Sequence, residues 1–256
     1  MVTRLPALCA PPIGFAHRGG RAHARENTLE AFSLAHEMGA TGIETDARVT
    51  ADGVVVLHHD GFVGTLPSAA VRRIVGRRIA GSPRSRLPAH VPSLDEYYRR
   101  CGTDLPLSVD IKDDEAFGGV IESARKHRAS DRLWICHGSV ETLAAWRSAA
   151  AEALLVHSTR LDRLPQGPER HAADLAAAGI DAVNLHRADW NGGLTTLYHR
   201  FGLFALGWDA QQVHQIADLV DAGIDAVYSD HVDRIAEAFH IMIINDNGKI
   251  IGRRAV

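Results

Sequence analysis

The sequence predicts an α/β chain closed into a TIM-type (β/α)8 barrel, with a short hairpin extension after the second strand. Length is the first observation, since 256 residues match the about 250 that such a barrel commonly takes. The second is a sustained alternation of short apolar runs with longer helical patterns. The third is an internal echo: Ala178-Gly179-Ile180-Asp181-Ala182-Val183 returns as Ala222-Gly223-Ile224-Asp225-Ala226-Val227, with Gly39-Ala40-Thr41-Gly42-Ile43 as a looser copy. Each reads as a helix end, where glycine supplies a left-handed stop and the following β-branched residue starts a strand.

Strands are expected at Ile13–Ala16, Gly42–Asp46, Pro106–Ile111, Leu133–Cys136, Leu154–His157, Ala182–Leu185, Leu203–Trp208 and Ala226–Tyr228. Helical spacing marks Leu29–Met38, Ala116–Arg128, Val140–Ala150, Glu169–Ala178, Gln211–Ala222 and Val232–Phe239. Strand, helix, strand in this alternation means a parallel sheet, and eight units close it. Two segments break the rhythm. Asp52-Gly53 between apolar runs signals a two-residue hairpin, whose register would set Asp46 opposite His59. Residues 64–91, polar, basic and interrupted by Pro67, Pro83 and Pro88, read as a long loop with a short helix at Ala69–Ile74 and a role as lid or substrate rim. Residues 1–240 are expected to form the barrel as one domain. The tail, 241–256, repeats apolar run, Asn245-Asp246-Asn247-Gly248, apolar run, and reads as a second hairpin that packs under the barrel or pairs with another subunit in a homodimer.

Composition excludes several classes. With 28 basic and 31 acidic residues the net charge is -3, which gives no field for gripping nucleic acid. Cys9, Cys101 and Cys136 are odd in number and lack C-x-x-C spacing, so neither a disulfide framework nor a thiolate zinc site is signalled. No run approaches the roughly 18 apolar residues of a membrane span, and residues 1–12 lack the apolar core of a signal peptide. A cytoplasmic compartment is the expectation.

Chemistry-bearing residues gather at strand ends. His17 follows the first strand, where a barrel carries its reacting groups, and reads as a general acid or base. Arg18 beside it is a natural phosphate ligand through its guanidinium fork. Glu44 and Asp46 are two apart, so both point to one strand face. Burying that pair calls for a compensating cation. Asp110 and Lys112 repeat the spacing on the third strand. Carboxylates without cysteines favour Mg²⁺ or Ca²⁺ over zinc. In Glu26-Asn27-Thr28, a helix cap competes with a site role. Of His58 and His59, alternation lets one face the site; the hairpin register selects His59 and leaves His58 structural. Trp208 ends a strand and could wall a pocket for an alcohol or acyl group, or simply pack in the core.

In this order and spacing, His17-Arg18-Gly19, Glu26-Asn27-Thr28, Ile43-Glu44-Thr45-Asp46, Thr50-Ala51-Asp52-Gly53, His59-Asp60, Val91-Pro92-Ser93-Leu94-Asp95-Glu96 and Asp110-Ile111-Lys112 resemble the glycerophosphodiester phosphodiesterase family. The resemblance implies a TIM-type barrel that uses a divalent metal to hydrolyse small glycerophosphodiesters to an alcohol and glycerol 3-phosphate. It implies an acid-base pair at His17 and His59 and metal ligands at Glu44 and Asp46. Asp110 stands where the family usually has the Glu of a Glu-x-Lys motif. Arg18, Glu26, Asn27, Lys112 and Trp208 are then substrate-binding. Asp209-Ala210-Gln211 and His137-Gly138 depart from the family pattern at the pocket mouth. The rival readings are a lysophospholipase D-type hydrolase on the same barrel and a non-catalytic phosphodiester-binding barrel.

Overall fold

The computed structural model describes residues 5–64 and 76–247, with side chains through 241. The strands are β1 (Ile13–Ala16), β2 (Gly42–Val49), β3 (Val55–Leu57), β4 (Phe62–Val63), β5 (Arg77–Arg78), β6 (Leu107–Ile111), β7 (Leu133–His137), β8 (Leu154–Ser158), β9 (Ala182–His186), β10 (Phe204–Trp208) and β11 (Ala226–Ser229). Eight of them, β1, β2 and β6 to β11, form a parallel ring in chain order that closes where β1 pairs with both β2 and β11. The helices are α1 (Leu29–Glu37), α2 (Leu94–Cys101), α3 (Ala116–Lys126), α4 (Val140–Trp146), α5 (Gly167–Ala177), α6 (Gly192–Arg200), α7 (Val213–Asp221) and α8 (Val232–Asn247). One follows each barrel strand, and the expected strands fall within a residue of those observed except the second, expected to end at Asp46, which runs three residues further to Val49. The echoed Gly39, Gly179 and Gly223 all have positive φ, at 92°, 69° and 87°, as helix stops require.

Strand alternation divides the apolar residues between two compartments. Inside the ring, Phe15 stacks on Tyr228 at 4.9 Å and Trp134 meets Phe204 edge-on at 5.4 Å, so aromatics plug the interior. Outside it, Ile43, Val109, Ile135, Leu155, Val183 and Val227 pack beneath the helices. At about 1.5–3 kcal/mol per fully buried large side chain, these two layers are the main favourable contribution to folding.

The hairpin differs from the expectation by one residue. Pairing runs Ala47 to Leu57 and Val49 to Val55, so Asp46 faces His58, whose N–H donates to the Asp46 carbonyl at 2.9 Å. The physical reason lies in the turn. Ala51, Asp52 and Gly53 form a three-residue loop with Gly53 left-handed at φ 77°, closed by Thr50 and Val54. The outer edge of β3 is not bare: Leu57 N–H donates to the Pro92 carbonyl, and Val56 packs with Val63, Ile79, Leu87 and Val91. Residues 65–75, with the expected helix Ala69–Ile74, lie outside the described residues.

The tail also differs. Residues 241–247 continue α8 rather than forming a strand. Ile235, Ala238, Phe239 and Met242 carry a helical spacing through the run that alone reads as β, so the pattern of the preceding turns wins. The remaining tail, 248–256, lies outside the described residues. All three cysteines are unpaired. No helix among the described residues is long and apolar enough to cross a membrane.

Two predictions follow from this packing. A Cβ on Gly14 would sit 2.3 Å from Ile235 Cγ2 and 3.2 Å from the Phe239 ring, so α8 lies directly on β1. Gly14→Ala should cost about 1–3 kcal/mol, read as a lower urea midpoint. Behind β8, His157 Nδ1 and His171 Nε2 are 2.8 Å apart, and His171 Nδ1 is 2.8 Å from the Tyr198 hydroxyl. Burial, then the neighbouring His157, pull His171 down from 6.5 to about 4. The unfolded chain therefore binds the proton first, and this contribution is complete above pH 6.5 and lost as pH falls toward 4. Its size is about 1–2 kcal/mol after allowance for solvent screening. His171→Gln should flatten that part of the melting-temperature profile; an unchanged slope would refute the assignment.

Candidate active site

The site lies at the C-terminal ends of β1, β2, β6, β10 and β11, where the ring register determines which side chains meet. Ala16 pairs with Ser229, so the next residue of each strand, His17 and Asp230, emerge side by side despite 213 residues between them. His17 Nδ1 is 2.6 Å from Asp230 Oδ1. With Nδ1–H donating to that carboxylate, Nε2 faces inward, 3.8 Å from Glu44 Oε2. Burial opposes charging His17, but Glu44 and Asp230 outweigh it and raise its pKa. Arg21 Nε donates to the other Asp230 oxygen at 2.9 Å.

Glu44 and Asp46 project inward from β2 and are 5% and 1% exposed. Asp46 pairs across the sheet with Asp110, which places a third carboxylate beside it. Lys112 bridges these two, 2.5 Å from Asp110 Oδ2 and 3.2 Å from Asp46 Oδ1. Burial would raise Asp46, yet Lys112 and Arg18 together hold it below its usual range. Asp110 goes up, because burial outweighs the same Lys112. Glu44 is pushed up to about 7, first by burial and then by Asp46 and Asp110, although His17 and the Arg18 N–H work against this.

Residues 18–28 fold back over these carboxylates. Arg18 is left-handed at φ 51°, which aims its N–H at Glu44 Oε2 (2.8 Å), Nη1 at Glu26 Oε2 (3.0 Å) and Nε to within 3.2 Å of Asp46. The guanidinium thus spans two carboxylates while the backbone N–H of the same residue holds a third, and the planar fork that reaches both acids is one that Lys could not reproduce. Asn27, also left-handed at φ 55°, donates to Asp46 Oδ2 at 2.9 Å and accepts from Thr45 Oγ1 at 2.7 Å. Thr28 alone caps α1, by accepting from Ala31 N–H. The triplet therefore divides: Glu26 and Asn27 face the site and Thr28 is the cap.

His59 is beyond the end of β3, close enough to help hold Asp46 down, with Nδ1 at 2.9 Å from Asp60 Oδ1. Arg48 fixes it, as Nε and Nη2 donate to the His59 carbonyl while Nη1 pairs with Asp113 at 2.6 Å. His58 turns away, with its ring against the Asp60 carbonyl at 2.8 Å. Trp208 lines a cavity of about 150 Å³ together with His17, Glu44, Asp110 and Asn184, and meets His186 edge-on at 4.6 Å. An adjoining space of about 270 Å³ is bounded by Arg18, Arg21, Asp209 and Gln211.

Two contributors carried no assigned role in the sequence reading. Asp230 had a signal, an acid just past the last strand of a closing ring. Gln211, read only as a departure at the pocket mouth, accepts from Asp230 N–H and Ser229 Oγ and so braces Asp230. His137 pairs with Asp114 at 3.2 Å.

The donor set fits a hard cation in chemistry, since Glu44, buried, and Asp110, partly buried, are carboxylates with raised pKa values. Glu44, Asp46 and Asp110 do not, however, bring one oxygen each within 4.8 Å of one another; among the described residues the group that does is His23, His231 and Asp233.

Fold and mouth together define a (β/α)8 barrel whose C-terminal face holds an imidazole-carboxylate pair against buried acids and a guanidinium. Residues 17–100 match the glycerophosphoryl diester phosphodiesterase family. A glycerophosphodiester phosphodiesterase of Caldanaerobacter subterraneus is 32% identical over 113 residues, 38% of this chain and 44% of that one. The chain spans still less of the human and rat relatives it matches, 33% and 14% of their lengths. The fold matches a Thermotoga maritima glycerophosphodiester phosphodiesterase with TM-score 0.76 at 21% identity, over 88% of this chain and 97% of that one. It also matches an Oleispira antarctica phosphodiesterase solved with the product sn-glycerol-3-phosphate, with TM-score 0.75 at 20% identity, over 89% and 96%.

Replacing Asn27 by Ala would leave Thr45 Oγ1 and an Asp46 oxygen short of a partner inside the site. We expect a loss of about 1–3 kcal/mol in stability, measured by denaturant unfolding.

Proposed function

We propose that this chain hydrolyses glycerophosphodiesters to an alcohol and glycerol 3-phosphate by histidine acid-base catalysis assisted by a divalent metal. The observation that carries the reading is the His17–Asp230 pair aimed at Glu44 inside a small polar cavity. Asp230 keeps the His17 proton on Nδ1, which leaves Nε2 free to accept a proton from a water directed at phosphorus. As that proton arrives, the Asp230 carboxylate stabilises the imidazolium. His59 is assigned as the acid that protonates the leaving alkoxide. Arg18 and Lys112 place positive charge where phosphoryl oxygens gain negative charge in the transition state. Glu44 and Asp110, with Asp46, would hold Mg²⁺ or Ca²⁺, which when bound supplies Lewis-acid polarisation of the phosphoryl group.

The substrate class follows from the space available. The cavity is bounded by Ser158, Asn184 and Trp208, and its neighbour by Arg18, Arg21, Asp209 and Gln211. A glycerol-sized group and a polar head group suit these walls better than a long acyl chain does. The product held by the Oleispira protein is of that class.

With glycerophosphocholine as substrate, His17→Ala should lower kcat by about 10²–10⁴, and chelation of divalent metal should abolish release of glycerol 3-phosphate. Full activity in His17→Ala would refute the mechanism. Faster turnover of lysophosphatidylcholine than of glycerophosphocholine would overturn the substrate class.

A further inference from the structure

We propose a second metal site, for Zn²⁺, formed by His23, His231 and Asp233 on the barrel rim and separate from the carboxylates of the mouth. One ligand atom from each lies within 4.8 Å of the others. His23 Nε2 is 2.9 Å and His231 Nδ1 3.9 Å from Asp233 Oδ1, and the two rings stand at 89°. Tetrahedral zinc with bonds of about 2.0–2.1 Å separates its ligand atoms by about 3.3 Å, between the two distances seen here. Closure around an ion therefore needs only small side-chain adjustments. Two imidazoles and one carboxylate suit zinc, cobalt or nickel and not Mg²⁺ or Ca²⁺. The side chains are 22%, 29% and 53% exposed, which leaves entry and a fourth position to water.

The backbone holds these ligands in place without an ion. Ala22 N–H donates to the Asp230 carbonyl at 3.2 Å, His23 N–H to the Gly20 carbonyl at 2.9 Å, and His231 N–H to Ser229 Oγ at 3.1 Å. Asp233 occupies the first turn of α8, where the helix dipole favours a carboxylate. No ligand is shared with the mouth, because both Asp230 oxygens are engaged by His17 and Arg21. An ion here ties the connection after β1 to the connection after β11, across the seam where the ring closes. Since the unfolded chain separates His23 from His231 and Asp233, the three-ligand site exists in the native state and binding there stabilises it.

The test uses the full chain, stripped with chelator and held in excess Mg²⁺. Added Co²⁺ should give the intense visible bands of a four-coordinate imidazole site, bands that an all-oxygen octahedral site lacks, and Zn²⁺ should displace them. Zn²⁺ at a few-fold molar excess should raise the melting temperature by several degrees. His23→Gln, His231→Ala and Asp233→Asn should each lose both effects, while Glu44→Gln should keep the bands. Absence of bands and of the thermal shift in the unaltered chain would overturn the proposal. So would bands that survive all three rim substitutions, or that vanish only in Glu44→Gln.

Discussion

The organisation of the mouth depends on closure of the strand ring at β1. This four-residue strand hydrogen-bonds to β2 on one side and β11 on the other, so the residues just past its end are held between both neighbours. His17 takes its orientation from Asp230 after β11, and Arg18 gives its N–H to Glu44 on β2. Shifting β1 by one residue against either neighbour would turn every inward side chain outward and dissolve both contacts. Hydrophobic burial on the two faces of the ring therefore fixes the geometry of the polar site at its mouth.

That polar site is costly to build. Three carboxylates crowd the inner face of β2 and β6, two of them with raised pKa values, and one guanidinium and one ammonium do not neutralise all of them. Left-handed backbone at Arg18 and Asn27 adds local strain of about 1–3 kcal/mol each. Both conformations hold a donor against an acid, Arg18 on Glu44 and Asn27 on Asp46, so strain and electrostatics offset each other within one loop.

Most of the barrel was legible because its strands are apolar runs punctuated by glycine, and both signals are local. What the sequence did not disclose was register. Asp52-Gly53 marks the turn correctly, but whether it closes over two or three residues depends on the Thr50 and Val54 hydrogen bonds, and that choice moved Asp46 from His59 to His58. His59 still acts on Asp46 because β3 has ended at Leu57 and alternation no longer applies there. The tail was misread for a related reason: four consecutive apolar residues carry no period of their own, and α8 imposes one. Glu26 and Asn27 could not be separated from Thr28 by composition alone; the left-handed Arg18 and Asn27 backbones do that. Asp230 was visible as a residue but not as a partner, because its role exists only once the ring is closed.

The span that carries the family pattern, residues 17–100, holds the imidazole but not the acid that orients it. Transplanting that N-terminal segment onto another barrel would thus import a histidine without its tautomer control. A working chimera must bring β11 and the Gln211 brace with it, and drift among residues 209–234 can retune the first histidine of the chain's mouth without touching any residue of the signature.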